Sequence, residues 1–143
     1  MKDDYFQTIH SIIKTGHWIT DQISKELKEY DITEPQYNVL RSLHMSDGQP
    51  LTVQDILEGM VQRSSNVSRI IDKLLSKGFV DRQICPSNRR KMDITITSAG
   101  KELLLKLDRK VYKLHEPMHN RLNAEELKTL NKLITKLTTT HHE

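Results

Sequence analysis

Cationic and hydroxyl side chains are concentrated between positions 62 and 91, and these residues have the clearest capacity for binding chemistry. The stretch holds eight lysines or arginines and two acids, a local charge of +6. The whole chain carries +3, so the remainder sums to −3 and the protein is not uniformly basic. Positive charge beside small polar side chains is typical of a surface that binds a polyanion, and double-stranded DNA is the natural partner.

Individual side chains of this stretch suit different parts of a DNA duplex. Helix N-terminal amides favour phosphate, asparagine suits adenine and arginine suits guanine in the major groove. An arginine in a turn can enter a narrow minor groove. The predicted DNA contacts are Ser64, Ser65, Asn66, Ser68 and Arg69, then Arg89 and Arg90 at a turn, with Lys73, Arg82 and Lys91 as phosphate partners. The alternative is an ordinary solvated helix followed by a charged loop.

A second constellation, His115-Glu116-Pro117-Met118-His119, matches the HExxH pattern of metallopeptidases. That chemistry needs two histidines on successive turns of an intact helix, with the glutamate as base. Pro117 removes a backbone hydrogen bond at this turn, and no clear third ligand follows. We therefore predict no metal site, no cofactor and no enzyme. A regulatory metal site at His115 and His119 stays open as an alternative.

The single cysteine, Cys85, excludes an internal disulfide framework and fits a reducing, cytoplasmic compartment. It lies among Arg82, Arg89 and Arg90, and nearby positive charge can activate a thiol toward oxidation. A redox-sensing role is thus one interpretation of Cys85. A small residue that packs in a strand is the other.

The local patterns predict which elements carry the charged residues. Val67, Ile70, Ile71, Leu74 and Leu75 follow helical spacing, so the polar residues between them fall on the opposite face. Gly78 ends this helix. Residues 79–84 then read as a strand, 86–90 as a turn and 91–96 as a second, alternating strand. The pattern indicates a recognition helix with a β-wing behind it.

Upstream residues complete a helix-turn-helix. Thr33 and Gln36 form a capping box that opens a helix, with Pro35 tolerated in its first turn. Tyr37, Val39, Leu40 and Leu43 supply the apolar face of that helix. A short strand at 51–52 then feeds a helix at 53–59, which precedes the recognition helix.

Long amphipathic helices are predicted at both ends. The first helix covers about 4–29. A second begins at 97–100 and is ended or kinked by Pro117. Asn123 and Glu126 form a capping box that opens the last helix. With 36% hydrophobic and 29% charged residues in 143, the composition favours a helical protein that buries more surface by dimerising. We expect no membrane span and no signal peptide.

The predicted architecture is mainly α with a small β-wing, in a single domain over 1–143. Residues 31–97 form a winged helix-turn-helix DNA-binding lobe, and residues 1–30 and 98–143 form dimerisation helices.

Four segments in this order resemble the MarR family of bacterial transcription regulators. They are ITEPQYNVL at 32–40, SSNVSRIIDKL at 64–74, GFVDR at 78–82, and NRR at 88–90 followed by ITITSAG at 94–100. The resemblance implies a homodimer joined by terminal helices, which binds a pseudo-palindromic operator. One departure is Asn88, since the family's wing usually carries an acid before the arginines.

The resemblance also implies a small aromatic or phenolic effector that binds between the dimer helices and the DNA-binding lobe. The candidate lining residues are aromatic or polar, although a helical core needs such residues anyway: His17, Trp18, Tyr30, Tyr37 and His44. The predicted function is a dimeric repressor released by such an effector. The alternatives are a redox- or metal-responsive regulator of the same fold and a winged-helix adaptor that contacts protein only.

Overall fold

A computed structural model describes residues 2–60 and 66–139. Its elements follow one another along the chain as α1 (Lys2–Lys28), α2 (Glu34–Met45), β1 (Leu51–Thr52), α3 (Val53–Gly59), α4 (Val67–Ser76), β2 (Val80–Cys85), β3 (Asn88–Ile96), α5 (Ser98–His119) and α6 (Ala124–Thr138). The predicted mainly helical architecture with a small β-wing is confirmed. The chain divides into two compact units, 1–111 and 112–143.

The first unit has one apolar core to which helices and sheet both contribute. Leu40 of α2, Ile56 of α3, Ile71 of α4 and Ile94 of β3 are essentially buried, as are Leu104 and Leu107 of α5. The helical spacing of apolar residues in α2 and α4 predicted these inward faces correctly. Because Leu27 of α1 joins the same cluster, the compact unit extends on both sides of the predicted 31–97 lobe.

Local capping interactions set where the helices begin. Thr33 accepts a hydrogen bond from the amide of Gln36, and the Gln36 side chain accepts one from the amide of Thr33, as predicted. Thr52 and Asp55 make the same reciprocal pair at the start of α3. These boxes satisfy backbone donors that a helix start leaves without partners.

Helices α1 and α4 end in the same manner. In α1 the amide of Ile32 bonds the carbonyl of Leu27, and in α4 the amide of Phe79 bonds the carbonyl of Leu74. Each end needs one residue in the left-handed region, which Gly78 supplies with φ 79° and Asp31 with φ 55°. Gly78 thus ends α4 where the sequence predicted.

The three strands form an antiparallel sheet in the order β1-β3-β2. Leu51 of β1 pairs with Ile94 of β3, and Val80 of β2 pairs with Ile96. The predicted turn at 86–90 is too long, because residues 88–90 belong to β3 and the connection is only Pro86 and Ser87. Asn88 belongs to the strand because of the register of the hairpin. Periodicity alone does not define that register.

The second unit contains the end of α5 and all of α6. Pro117 does not end α5, which continues to His119 with the proline inside it. Asn123 and Glu126 form the predicted capping box at the start of α6. The large apolar side chains of α6 are exposed within the chain: Leu127, Leu130, Leu133, Ile134 and Leu137.

Candidate nucleic-acid interface

Helix α4 is fixed to the first unit by its apolar side and leaves its polar side outward. Val67, Ile71 and Leu74 are buried, whereas Ser68 and Arg69 are exposed. Asn66 occupies the N-cap position and is also exposed. Two further predicted contacts, Ser64 and Ser65, lie outside the described residues. The described part of α4 therefore presents the polar ridge that the sequence predicted.

An ion pair joins this ridge to the wing. A guanidinium nitrogen of Arg82 on β2 lies 2.9 Å from a carboxylate oxygen of Asp72 on α4. Both side chains are substantially exposed, so water competes for the pair and we expect it to contribute less than about 1 kcal/mol. The contact places the outer face of β2 beside the outer face of α4. It also means that Arg82 already has a partner before any phosphate approaches.

The wing carries its positive charge on a bulge. Ile84 of β2 pairs with Met92 of β3, and the next residue, Cys85, pairs with Asn88. Two consecutive residues of β2 therefore pair with residues that are four positions apart on β3. The three extra residues on β3 are Arg89, Arg90 and Lys91, and all are exposed. A bulge turns side chains away from the regular alternation of a strand. Three consecutive cations therefore project beside the tip formed by Pro86 and Ser87.

Asn88 holds the backbone of this bulge. Its side-chain oxygen accepts a hydrogen bond of 3.0 Å from the amide of Arg90. An aspartate could accept the same bond, so this contact does not distinguish Asn88 from the acid that is usual in the family that the sequence resembles. What the asparagine does not supply is a negative charge beside the arginines.

Lys91 also acts on the start of α3. Hydrogen bonds from the backbone amide and the side chain of Thr52 lower the pKa of Asp55, and the positive charge of Lys91 lowers it further. A carboxylate held ionised at a helix N-terminus is favourable, because the helix dipole is positive there. Lys91 thus lies near enough to the start of α3 to favour the ionised form of Asp55.

Cys85 lies next to the tip, where its sulfur is 3.2 Å from the hydroxyl oxygen of Ser87. The side chain is partly buried and makes no disulfide. This placement agrees with either interpretation of Cys85, a small strand residue or a sensor.

The two histidines of the HExxH segment have different surroundings. The His119 ring packs edge-on against Tyr112, with ring centroids 4.8 Å apart. Nε2 of His115 is buried and has no hydrogen-bond partner among the described residues. Within residues 2–60 and 66–139, no three His, Cys, Asp or Glu side chains are grouped to hold a metal ion.

The five predicted effector-pocket residues have unequal burial. Tyr37 is buried and donates a 2.5 Å hydrogen bond to Asp108 of α5, while the guanidinium of Arg41 lies 5.8 Å from its ring centroid. Burial raises the pKa of Tyr37 above its usual value, and the Asp108 carboxylate raises it further. Tyr30 is half-buried, with Lys110 at 5.8 Å from its ring centroid.

His17, Trp18 and His44 are not buried within the chain. An open groove of about 450 Å³ lies elsewhere, lined by Ser24, Lys28 and residues 31–35, and includes none of the five. Burial raises the pKa of Glu34 in this groove. The effector pocket therefore stays a prediction.

Two side-chain contacts in the fold join residues that no local sequence pattern links. Asp108, which pairs with Tyr37, is 71 residues away from it, and no local pattern links them. Lys77 is one cation of the basic stretch in the sequence, but its ammonium contacts Asp31 and Gln36. Only the tertiary structure assigns these partners.

No helix in the described parts of the chain has both the length and the apolar character to cross a bilayer.

Comparison with known proteins gives matches over the winged lobe and over the whole fold. The MarR family model matches residues 32–92. The structure of AbsC, a MarR family transcriptional regulator from Streptomyces coelicolor, superposes with a TM-score of 0.85 at 22% identity, covering 96% of this chain and 93% of that one.

Two solved complexes have the same fold. One is a mutant of MarR from E. coli complexed with operator DNA (TM-score 0.82, 23% identity, 96% of this chain and 97% of that one). The other is the S. aureus MepR–DNA complex (0.78, 21%, 90% and 93%). The family model thus matches the winged helix-turn-helix, and the fold of solved MarR family regulators matches nearly the whole chain.

Proposed function

We propose that this protein is a homodimeric transcription regulator that binds a pseudo-palindromic DNA operator. The observation that carries the proposal is the joined surface of α4 and the wing. Arg69 projects from α4, the cations at 89–91 project from the bulge, and the Arg82–Asp72 pair links the two elements. A helix can enter the major groove of DNA while an adjoining wing reaches the phosphates or the minor groove.

The charge distribution supports DNA over a protein partner. The local charge of +6 lies on a chain that is otherwise negative, and it coincides with the helix whose small polar residues face outward. An adaptor that contacts only protein has no need for three adjacent cations on a bulge. The relatives solved with DNA, MarR from E. coli and MepR from S. aureus, support the same partner.

Exposed apolar surface supports a dimer. Tyr5, Phe6 and Ile13 of α1 are each more than half exposed, and so are Leu133 and Leu137 of α6. Side chains of this kind in solvent lose the stabilisation that burial would give, about 25 cal/mol per Å². A second copy of the chain would cover them and would present two α4 helices to half-sites about 34 Å apart.

In this proposal the dimer represses transcription by occupying a promoter. An aromatic or phenolic effector that binds the dimer releases it from the DNA. The candidate lining residues stay His17, Trp18, Tyr30, Tyr37 and His44. A ligand that binds the non-DNA-bound arrangement better would lower operator affinity by the ratio of its two binding constants.

The decisive experiment is selection and footprinting on genomic fragments with the full chain, across a salt series and with or without phenolic ligands. We expect two protected half-sites whose centres are one turn of the DNA helix apart. We also expect an operator affinity that falls steeply as the salt concentration rises. Binding without sequence preference, or no binding at low salt, would contradict the proposal.

The wing is tested by a double variant, Arg89→Ala with Arg90→Ala. Removing two phosphate or minor-groove contacts should lower the slope of log affinity against log salt by about 2. Lys106→Ala with Arg109→Ala is the matched control, since it removes two exposed cations from α5 and the same total charge. Equal slopes for the two double variants would exclude the wing from the interface.

A further inference from the structure

The ends of α1 and α4 and the start of α2 meet at one side chain, Lys77. It is the C-cap residue of α4, immediately before the left-handed Gly78. Only 27% of its side chain is exposed, which is unusual for a lysine. A surface cation that served only to attract phosphate would keep its ammonium in solvent.

The Lys77 ammonium is directed at the corner between α1 and α2. It donates a hydrogen bond to the backbone carbonyl of Asp31, the left-handed residue that ends α1. It lies 3.5 Å from the side-chain oxygen of Gln36 and 3.5 Å from the carboxylate of Asp31. The carboxylate is 98% exposed, so solvent screens it and the two other oxygens are the stronger partners.

Gln36 makes the contact part of the capping interaction of α2. Its side chain is buried, and the oxygen that faces Lys77 also accepts from the amide of Thr33 at 3.1 Å. A cation is favourable at the carbonyl end of a helix, where the dipole is negative. The single ammonium of Lys77 therefore ties the end of the recognition helix to the end of α1 and to the start of α2.

We propose that Lys77 is a positioning residue for DNA recognition, which sets the orientation of α4 without contacting DNA. The proposal rests on the DNA-binding function proposed above. Helix α4 has ten residues and is about 15 Å long, so a small rotation at Lys77 displaces Arg69 near the other end. Buried apolar contacts of Val67, Ile71 and Leu74 hold the inner face of α4, and the Lys77 contacts add a polar tie from its C-terminal end to α1 and α2.

The test compares Lys77→Met with Lys77→Arg in the full chain, and measures operator affinity across a salt series. Lys77→Met should weaken binding about fivefold or more while leaving the salt slope at the wild-type value. Lys77→Arg should restore most of the affinity, because a guanidinium can donate to both oxygens. Lys73→Met is the contrasting variant, since loss of a phosphate contact lowers the slope by about 1.

Asp31→Asn is the second control. It keeps the backbone carbonyl and a side chain that tolerates the left-handed region, and it removes only the exposed charge. Its affinity should match that of the wild type. A large loss for Asp31→Asn would overturn the assignment of the carbonyl and Gln36 as the working partners.

Hydrogen exchange at the amides of Ile32 and Thr33 gives a readout that needs no DNA. Lys77→Met should speed exchange there, and Lys77→Arg should restore protection.

If the wild type binds no operator, the proposed function fails, and the exchange rates still decide whether Lys77 holds the corner between α1 and α2. If Lys77→Met does not fold, Lys77→Gln replaces it in both measurements. Unchanged affinity and exchange, or a salt slope lowered by about 1, would overturn the proposal.

Discussion

At the scale of single residues, the charge of the basic stretch overstates the number of available DNA contacts. Among its described cations, Arg82 is paired with Asp72, and Lys77 is directed at Asp31 and Gln36. Arg69 and the three cations of the bulge are exposed. Counting charge along the sequence indicates where the proposed interface lies, but the number of phosphates neutralised would depend on which side chains have partners inside the fold.

In the proposed complex, Arg69 is the residue on which the major-groove contact depends most. Arg69→Ala should weaken operator binding by about 1–3 kcal/mol and relax base preference at one position of each half-site. Fluorescence anisotropy with systematically substituted operators measures both effects. Arg109→Ala, on the exposed side of α5, is the matched control. An Arg69→Ala variant with wild-type affinity and base preference would remove this residue from the interface.

Tyr37 joins α2 to α5 through a charged hydrogen bond. Tyr37→Phe leaves Asp108 without this donor and should destabilise the fold by about 1–3 kcal/mol near neutral pH. Because burial and Asp108 raise the pKa of Tyr37, the native state retains the phenol proton at pH values where the unfolded chain loses it. The stabilisation that Tyr37 contributes should therefore be fully present below about pH 10 and decline above it.

The pH dependence of Tyr37→Phe separates this residue from other groups that titrate at high pH. The free energy of unfolding in urea, measured from pH 8 to about pH 11, should fall less steeply for the variant than for the wild type. Parallel curves for the two proteins would contradict the coupling of Tyr37 to the fold at high pH.

At the scale of elements, the junction between the wing and α5 is defined by a close backbone approach. The amide of Thr97 bonds the carbonyl of Phe79, and the hydroxyl of Thr97 bonds the carbonyl of Gly78. The amide of Gly100 donates in turn to the Thr97 hydroxyl oxygen. A Cβ on Gly100 would lie 2.2 Å from the carbonyl oxygen of Phe79. Glycine is therefore required where α5 begins.

Gly100→Ala should destabilise the protein by about 1–3 kcal/mol or more, because backbone on both sides must shift. Gly59→Ala is the control, since its Cβ would meet only an ordinary contact with Ser42 at 3.7 Å. Alanine is favoured over glycine in a helix by about 1 kcal/mol, so Gly59→Ala should not destabilise. Thermal unfolding of the two variants gives the comparison, and similar losses in both would show that the close approach at Gly100 is unimportant.

At the scale of the whole molecule, the proposed function needs two copies of the chain. The lobe within residues 1–111 presents one recognition helix, and one helix reads only one half-site. The exposed leucines of α6 are apolar surface that a partner would cover. Linking two half-site contacts makes the second one effectively intramolecular, which raises affinity without new contacts.

Leu133→Glu tests the dimer directly. Leu133 is 55% exposed within the chain, so a glutamate there costs the isolated protomer little, whereas it would place a charge in a dimer interface. We expect sedimentation to change from dimer to monomer and operator affinity to fall on the order of a hundredfold. Thr135→Glu, which adds the same charge at an exposed position of α6 away from the leucines, is the matched control. A wild-type chain that sediments as a monomer would refute the dimer.

The sequence by itself determined the helices and their starts, because these depend on interactions between residues three or four positions apart. The strands of the wing followed from polar and apolar alternation and from the turn residues between them. The capping pairs of Thr33 with Gln36 and of Asn123 with Glu126 are examples. The apolar spacing in α4 also correctly predicted its inward face, on which Val67, Ile71 and Leu74 are buried while Ile70 and Leu75 are partly buried. For the same reason, helical periodicity was sufficient to identify Ser68 and Arg69 as part of an exposed face.

The tertiary structure alone decided how these elements hold and aim one another. Lys77 reaches Asp31 across 46 residues, and Tyr37 reaches Asp108 across 71, so no local pattern reveals either contact. The hairpin register placed Arg89 and Arg90 on a bulge of β3 instead of in the turn. Such features depend on the pairing of distant segments, and one-residue shifts in that pairing redirect every side chain.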